Sequence, residues 1–246
     1  MKVNLREKNK PVLIVTAAGK GQRMGLGRAN KVYLPLAGKP VLAHTLQAFL
    51  GLQLFFPVLV VVAPGEQNIF NAQVRAPYFP EKRQLFLVEG GEERQYSVFN
   101  ALKHLHKKNI PGETVICIHD GARPLVDRSL ILKVCREALS SGAAVAGVPL
   151  QDTIKEIDGN LMVRKTPPRE NFMAIQTPQC FKSSILWRAH CRAGEDNFLG
   201  SDDAVLVERL GVKVKVVPGS YTNLKLTTPA DLEVAGVYLK EKGGQG

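Results

Sequence analysis

Two glycines and two cations near the start of the chain are the first residues whose types and spacing could do chemistry. Gly19 and Gly21 lie in Ala17-Ala18-Gly19-Lys20-Gly21-Gln22-Arg23-Met24, directly after the apolar run Val12–Thr16, and Lys31 follows shortly downstream. Glycine reaches backbone angles closed to other residues and lets amide N–H groups approach a phosphate closely. Arg23 adds a planar fork suited to phosphate oxygens. The loop is not a dinucleotide fingerprint, because Met24 stands where G-x-G-x-x-G needs its third glycine. Nor does the chain contain a G-x-x-x-x-G-K-[ST] P-loop. Taken alone, the segment reads either as an anion-binding loop or as a tight turn. A second constellation is His119-Asp120-Gly121-Ala122-Arg123-Pro124, at the end of another apolar run. Asp120 is either a turn former ahead of Gly121 or a carboxylate facing a ligand, since open α/β sheets bind ligands beyond the carboxyl ends of their strands.

The elements that must position these residues alternate along the chain. Val12–Thr16, Val58–Ala63, Leu85–Val88, Thr114–His119 and Ala143–Val148 read as strands. Between them, Val41–Leu50, Glu93–Lys107 and Ser129–Ser140 read as helices; Val98, Ala101, Leu102 and Leu105 recur at helical spacing. This rhythm predicts an α/β, Rossmann-like fold: a mostly parallel sheet with helices on both faces and right-handed crossovers. The rhythm breaks over about 149–172, where Thr153–Ile157 and Leu161–Lys165 flank Asp158-Gly159-Asn160, a hairpin signal. Pro167 and Pro168 then exclude a helix. An inserted β-hairpin arm is expected, and because long hairpins are marginal alone it should pack on a second copy, giving a homodimer. Ser183–His190, Ser201–Leu210 and Pro229–Lys240 read as helices and Lys213–Val217 as a strand, so residues 1–246 are read as one domain.

Composition narrows the classes. With 45% hydrophobic and 22% charged residues the chain is globular. Its longest apolar runs, Leu54–Ala63 and Val115–Ile118, fall well short of the roughly 20 residues of a membrane span, so no membrane is expected. Met1–Lys10 is polar and basic without an apolar core, which reads as a short frayed lead rather than a secretory signal. Lys242–Gly246 reads as a loose tail. Cys117, Cys135, Cys180 and Cys191 form no C-x-x-C pair, arguing against zinc and for reduced thiols in a cytoplasmic protein. The net charge of +11 reflects either a solvated basic surface or attraction of anionic partners. One tryptophan and no nucleic-acid module argue against nucleic acid as that partner.

Lys31, inside Asn30-Lys31-Val32-Tyr33-Leu34-Pro35-Leu36 and followed by Gly38-Lys39-Pro40, gives the glycine loop a sharper reading. This order of elements resembles the sugar- and polyol-phosphate nucleotidyltransferases. Further motifs resemble one branch of them. They are Gly90-Gly91-Glu92-Glu93-Arg94-Gln95-Tyr96-Ser97-Val98, His119 to Pro124, Asp152-Thr153-Ile154-Lys155, Thr177-Pro178-Gln179 and Asn223-Leu224-Lys225-Leu226-Thr227 with Pro229, Asp231 and Leu232. Together they are similar to the 2-C-methyl-D-erythritol 4-phosphate cytidylyltransferase family from about Val12 to Tyr238. The resemblance implies a reaction of CTP with a polyol phosphate, giving a CDP-polyol and pyrophosphate with Mg²⁺ as cofactor. It implies Arg23, Lys31 and Lys225 as catalytic cations, and Ala17, Ala18, Gly19, Lys20 and Gly21 against the triphosphate. Gly91, Glu92 and Ser97 would form the base pocket, with Asp120 and Gly121 near the ribose and Asp120 at the metal. Arg123, Thr153, Arg169, Thr177 and Ser201 would bind the polyol phosphate together with Lys225, Arg169 acting in the neighbouring subunit.

Three features depart from the family pattern. The segment between Met24 and Lys31 is longer by one residue, with Asn30 where a proline commonly precedes the lysine. Glu92 replaces a shorter aspartate, and Ser201 stands in a T-D-[DE]-A position, where it reads equally as a helix N-cap. A ribitol-5-phosphate cytidylyltransferase shares the loop, the D-[AG]-A-R-P run and the arm. Asp152 to Lys155 and the spacing to Arg169 favour methylerythritol phosphate.

Overall fold

The computed structural model describes residues 10–19, 30–81 and 84–243. The expected frayed lead therefore lies almost wholly outside the described residues. So do Lys20, Gly21 and Arg23 of the glycine loop, and the last three residues of the tail.

Strand β1 (Val12–Thr16) opens the fold. After the glycine loop a 3₁₀ turn at Lys31–Tyr33 leads into the short ladder β2 (Pro35–Leu36) and β3 (Lys39–Pro40). Helix α1 (Val41–Leu50) and strand β4 (Val58–Val62) follow. Next come short helices α2 (Gln67–Phe70) and α3 (Ala76–Tyr78), joined by a wider turn at Asn71–Arg75. Strand β5 (Leu85–Glu89), helix α4 (Arg94–His106), strand β6 (Val115–Asp120), helix α5 (Arg128–Ser141) and strand β7 (Ala143–Pro149) continue the alternation. Helix α5 starts on Asp127, whose side chain accepts from the Ser129 amide, and stops at Gly142 with φ 89°. A small hairpin, β8 (Glu156–Ile157) with β9 (Val163–Lys165), stands apart from the main sheet and is shorter than the sequence suggests. Strand β10 (Met173–Lys182), helices α6 (Ser183–Glu195) and α7 (Asp203–Glu208), strand β11 (Lys215–Pro218) and helix α8 (Pro229–Gly243) complete the fold. Helix α8 thus carries the chain into what reads from sequence as a loose tail.

Seven strands form one sheet in the order β11-β7-β10-β6-β1-β4-β5. All neighbours are parallel except β10, which runs antiparallel to both β6 and β7. Both faces are covered. Leu13 and Val15 of β1 join the core under α1 and α5, while Val12 and Ile14 join the one under α4 and α6, as side chains alternate along a strand. That double burial is why the strands read as unbroken apolar runs.

Strand β10 is the strand of the main sheet that sequence reading misses; the short β2, β3, α2 and α3 are missed as well. Pro178 lies inside β10, and proline removes a ladder donor, so such a run does not read as a central strand. The structure accommodates it by shifting the β7 register between Gln176 and Gln179, so that Pro178 falls at an irregularity in the ladder.

Candidate functional site

The sheet reverses direction of winding at β1: β4 and β5 are added on one side, then the chain crosses to β6 on the other. Ligands of open α/β sheets bind in the crevice outside the strand ends at such a point. A cavity of about 440 Å³ opens there, bordered by the ends of β1 and β6, the Gly91–Arg94 turn and Lys225.

Asp120 is its electrostatic centre. Thr16 and Asp120 are register partners on β1 and β6, and the Thr16 hydroxyl lies 3.4 Å from Asp120 Oδ1. Arg94 Nε reaches the same oxygen at 3.3 Å. The other oxygen, Oδ2, faces Lys225 Nζ at 2.9 Å and Arg123 Nε at 3.5 Å. Burial alone would lift the Asp120 pKa, but the charges of Arg94, Lys225 and Arg123 outweigh it and hold the carboxyl well below the usual range. Three cationic side chains thus converge on one carboxylate at the edge of the cavity.

The turns that shape the cavity follow from local chemistry. Gly90 passes so close to the first loop that a Cβ on it would lie 2.5 Å from Ala18 Cβ, and this brings the Gly91–Glu93 turn beside the end of β1. The Ser97 hydroxyl accepts from the Gly91 amide at 3.1 Å and holds that turn against α4. Asn30 is buried, donates through Nδ2 to Ala17 O (2.7 Å) and Glu66 Oε2 (3.0 Å), and accepts from the Val32 amide at 3.3 Å. It thereby caps the 3₁₀ turn that carries Lys31 and ties it to the loop after β1. The departure from proline at this position thus has its own hydrogen-bonding logic.

The structure gathers Ala17, Ala18, Gly19, Lys31, Gly91, Glu92, Ser97, Asp120 and Lys225 around one cavity. Gly121 lies just behind it: its N–H donates to Thr16 O at 2.9 Å, and a side chain there would crowd Thr16 and Leu42. Arg123 is behind Asp120, with NH1 donating to Asn223 O at 2.7 Å. Thr177 is buried, and its hydroxyl accepts from the Asp120 amide at 3.1 Å. Thr153, Arg169 and Ser201 do not border this cavity; all three are exposed, and Arg169 NH1 donates to Gln151 O. The N-cap of α7 is Asp202, which accepts from the Val205 amide, so Ser201 is not the cap.

Sequence reading assigns no part to Arg94, Asp203 or His190, yet they form a chain from Asp120 inward, half-buried at Arg94 and buried at Asp203 and His190. Arg94 NH1 donates to Asp203 Oδ2 at 2.7 Å, and His190 Nε2 lies 3.1 Å from Asp203 Oδ1. One signal was available for Arg94. It is the first residue of α4, where the helix dipole disfavours a cation, so an arginine there calls for an acidic partner.

The reversal crevice and its cation-ringed carboxylate are those of a Rossmann-like nucleotidyltransferase. The family model described as IspD, 2-C-methyl-D-erythritol 4-phosphate cytidylyltransferase, matches residues 12–241, and the chain belongs to that family. Proteins of that name from Caldanaerobacter subterraneus and Bacillus velezensis are 43% and 44% identical to it. The alignments cover 93% and 95% of this chain and 98% and 97% of those proteins. Among solved structures, the 4-diphosphocytidyl-2C-methyl-D-erythritol synthase of Anaerococcus prevotii superposes with a TM-score of 0.79 at 28% identity, over 95% of this chain and 99% of that one. The 2-C-methyl-D-erythritol 4-phosphate cytidylyltransferase of Thermus thermophilus gives 0.74 at 33%, over 94% and 99%.

Proposed function

We propose that this chain transfers CMP from CTP to 2-C-methyl-D-erythritol 4-phosphate, giving 4-CDP-2-C-methyl-D-erythritol and pyrophosphate. The carrying observation is Asp120 with Arg94, Arg123 and Lys225 at the crevice of a chain that belongs to this family. An oxygen of the acceptor phosphate attacks the α-phosphorus of CTP in line; the new P–O bond forms as the bond to the bridging oxygen breaks, and pyrophosphate carries that electron pair away. No covalent intermediate with the protein is needed. The protein's task is to bring two anions together and to stabilise the charge that builds up. Lys225 and Lys31 border the cavity and suit the α-phosphate, with Arg23 as their expected companion. Ala17, Ala18 and Gly19 supply backbone to the triphosphate, and Gly91, Glu92 and Ser97 lie where cytosine would be read.

Mg²⁺ is the proposed cofactor. The donor set fits: Asp120 offers one carboxylate at the cavity, and Mg²⁺ binds by one or two carboxylates plus substrate phosphates and water. Lys225, about one-third exposed, is the cation able to leave Oδ2 for such a ligand. Bound there, the ion would neutralise phosphate charge.

The acceptor half is read as shared between two copies of the chain. The hairpin exposes Ile157, Leu161, Met162 and Val163, with Phe172 beside it, an apolar surface of the kind that marks interfaces. We read that surface as the homodimer contact and Arg169 as acting at the partner's site. A cytoplasmic location is part of the same reading, supported by four free thiols and by the fact that no described helix is long and apolar enough to cross a membrane. Pyrophosphate release is measured with CTP and either methylerythritol phosphate or ribitol 5-phosphate. Turnover with the former is expected, and turnover with ribitol 5-phosphate alone would overturn the assignment.

A further inference from the structure

We infer that Asp203, itself oriented by His190, is a positioning residue that locks Arg94 onto one oxygen of Asp120 and so frees the other oxygen for chemistry. This rests on the transfer reaction proposed above.

The two oxygens of Asp120 have different company. Oδ1 faces Arg94 Nε at 3.3 Å and the Thr16 hydroxyl at 3.4 Å, both rooted in the fold. Oδ2 faces Lys225, whose side chain is 35% exposed, and Arg123. When phosphates enter, Lys225 is the group that can turn to them, and the carboxylate must keep its orientation while that contact is lost. Arg94 can hold it only if Arg94 is itself prevented from turning to the phosphates.

Asp203 provides that restraint. Its side chain is 1% exposed, its Oδ2 takes Arg94 NH1 at 2.7 Å, and it belongs to the first turn of α7 behind the cap Asp202. Burial would depress the Arg94 pKa, but the charges of Asp203 and Asp120 more than reverse this, so the guanidinium stays charged between two carboxylates. His190 backs the pair from α6. A carboxylate only accepts, so at 3.1 Å His190 Nε2 carries the hydrogen and donates to Asp203 Oδ1, leaving Oδ2 directed at Arg94. The imidazole stacks on Phe99, centroids 5.7 Å apart, which fixes its plane. The neighbouring Gln95 adds a second tie: its Oε1 accepts from the Gly200 amide at 2.8 Å and its Nε2 donates to Phe198 O at 2.9 Å. The start of α4 is thus clamped to the segment that presents Asp203.

The test is a double-mutant cycle on cytidylyl transfer. Asp203→Asn should lower kcat by roughly 10- to 100-fold with the KM for CTP changed little, the size of effect expected when a catalytic group is misplaced by about 1 Å. In an Arg94→Gln background the same substitution should cost less than about 2-fold more, because its effect passes through Arg94. His190→Gln, which keeps an N–H donor, should stay near wild type, while His190→Leu should follow Asp203→Asn in direction. Losses that multiply across the cycle, or an unchanged kcat in folded Asp203→Asn protein, would overturn the inference. If Asp203→Asn does not fold, His190→Leu takes its place in the cycle with the same two readings. Wild-type protein without transfer activity would instead refute the functional reading, and with it this inference.

Discussion

Asp120 is buried at a strand end with three cationic side chains within 3.5 Å, whereas Thr153 and Arg169 are exposed on the segment around the hairpin, where Arg169 is bonded to the carbonyl of Gln151. The first region is assembled by the sheet. Thr16 and Asp120 are neighbours because β1 and β6 are paired, Arg94 arrives on α4, which packs against those strands, and Lys225 on the segment whose Leu226 N–H donates to Ala122 O. Among the described residues the second region has no such scaffold: β8 and β9 pair only with each other and present apolar residues outward. On the proposed reading, the described part of the nucleotide half is preorganised within one chain, and the exposed part of the acceptor half would depend on what the arm packs against.

The largest effect should come from the preassembled region. Lys225→Ala is expected to lower kcat by about 10²–10³-fold, the scale for removing one preorganised charge-stabilising donor. Because the contact with the buried Asp120 carboxylate is lost as well, a lower melting temperature is expected alongside. Pyrophosphate release and a melting curve check both, and an unchanged kcat would take Lys225 out of the chemistry.

The buried region should also be the one that responds to acid. Burial pushes His119 down from 6.5 to about 4, while its Nε2 lies 3.2 Å from Arg123 O. Between those values the unfolded chain binds the proton and the folded chain does not, so stability falls as pH drops through that window, by up to ~3 kcal/mol. His119→Gln should flatten the slope, the remainder belonging to the also depressed His44 and His104. Asp120 and Asp203, with lowered pKa values, lose their contribution only as pH falls below the ordinary 3.8. Urea titrations between pH 7 and pH 4 decide; an equal slope in wild type and variant would contradict the His119 assignment.

The acceptor region should behave differently. Arg169→Ala is expected to raise the KM for the polyol phosphate about 10-fold or more, the worth of a charged hydrogen bond, with the KM for CTP unchanged. Random mixing with Lys225→Ala protein should restore roughly a quarter of wild-type activity if Arg169 acts across a two-fold interface, since half the dimers then hold one complete site. No recovery in verified mixed dimers would place Arg169 in its own subunit's site and erase the contrast drawn here.

The smallest effect tests the hinge between loop and cavity. Asn30→Ala removes the cap of the Lys31 turn and should cost about 1–2 kcal/mol of stability, read by urea unfolding. A loss below a few tenths would show that the turn is held by other contacts.

The linear order of residues by itself determined the alternation of strands and helices and the hairpin signal at Asp158-Gly159, and, through the family resemblance of their motifs, the cavity residues of the glycine loop, Gly91 and Asp120. Each is written in local periodicity, turn chemistry or a short run of residues whose spacing survives folding. Strand β10 was hidden because Pro178 contradicts its own element, and only the register shift against β7 makes room for it. The Arg94–Asp203–His190 chain was hidden for another reason. Its members stand on three helices, 109 residues separate Arg94 from Asp203, and no local rule brings a buried carboxylate to that arginine. Their pairing exists because α4, α6 and α7 share one face of the sheet. Burial then makes each charge require the other.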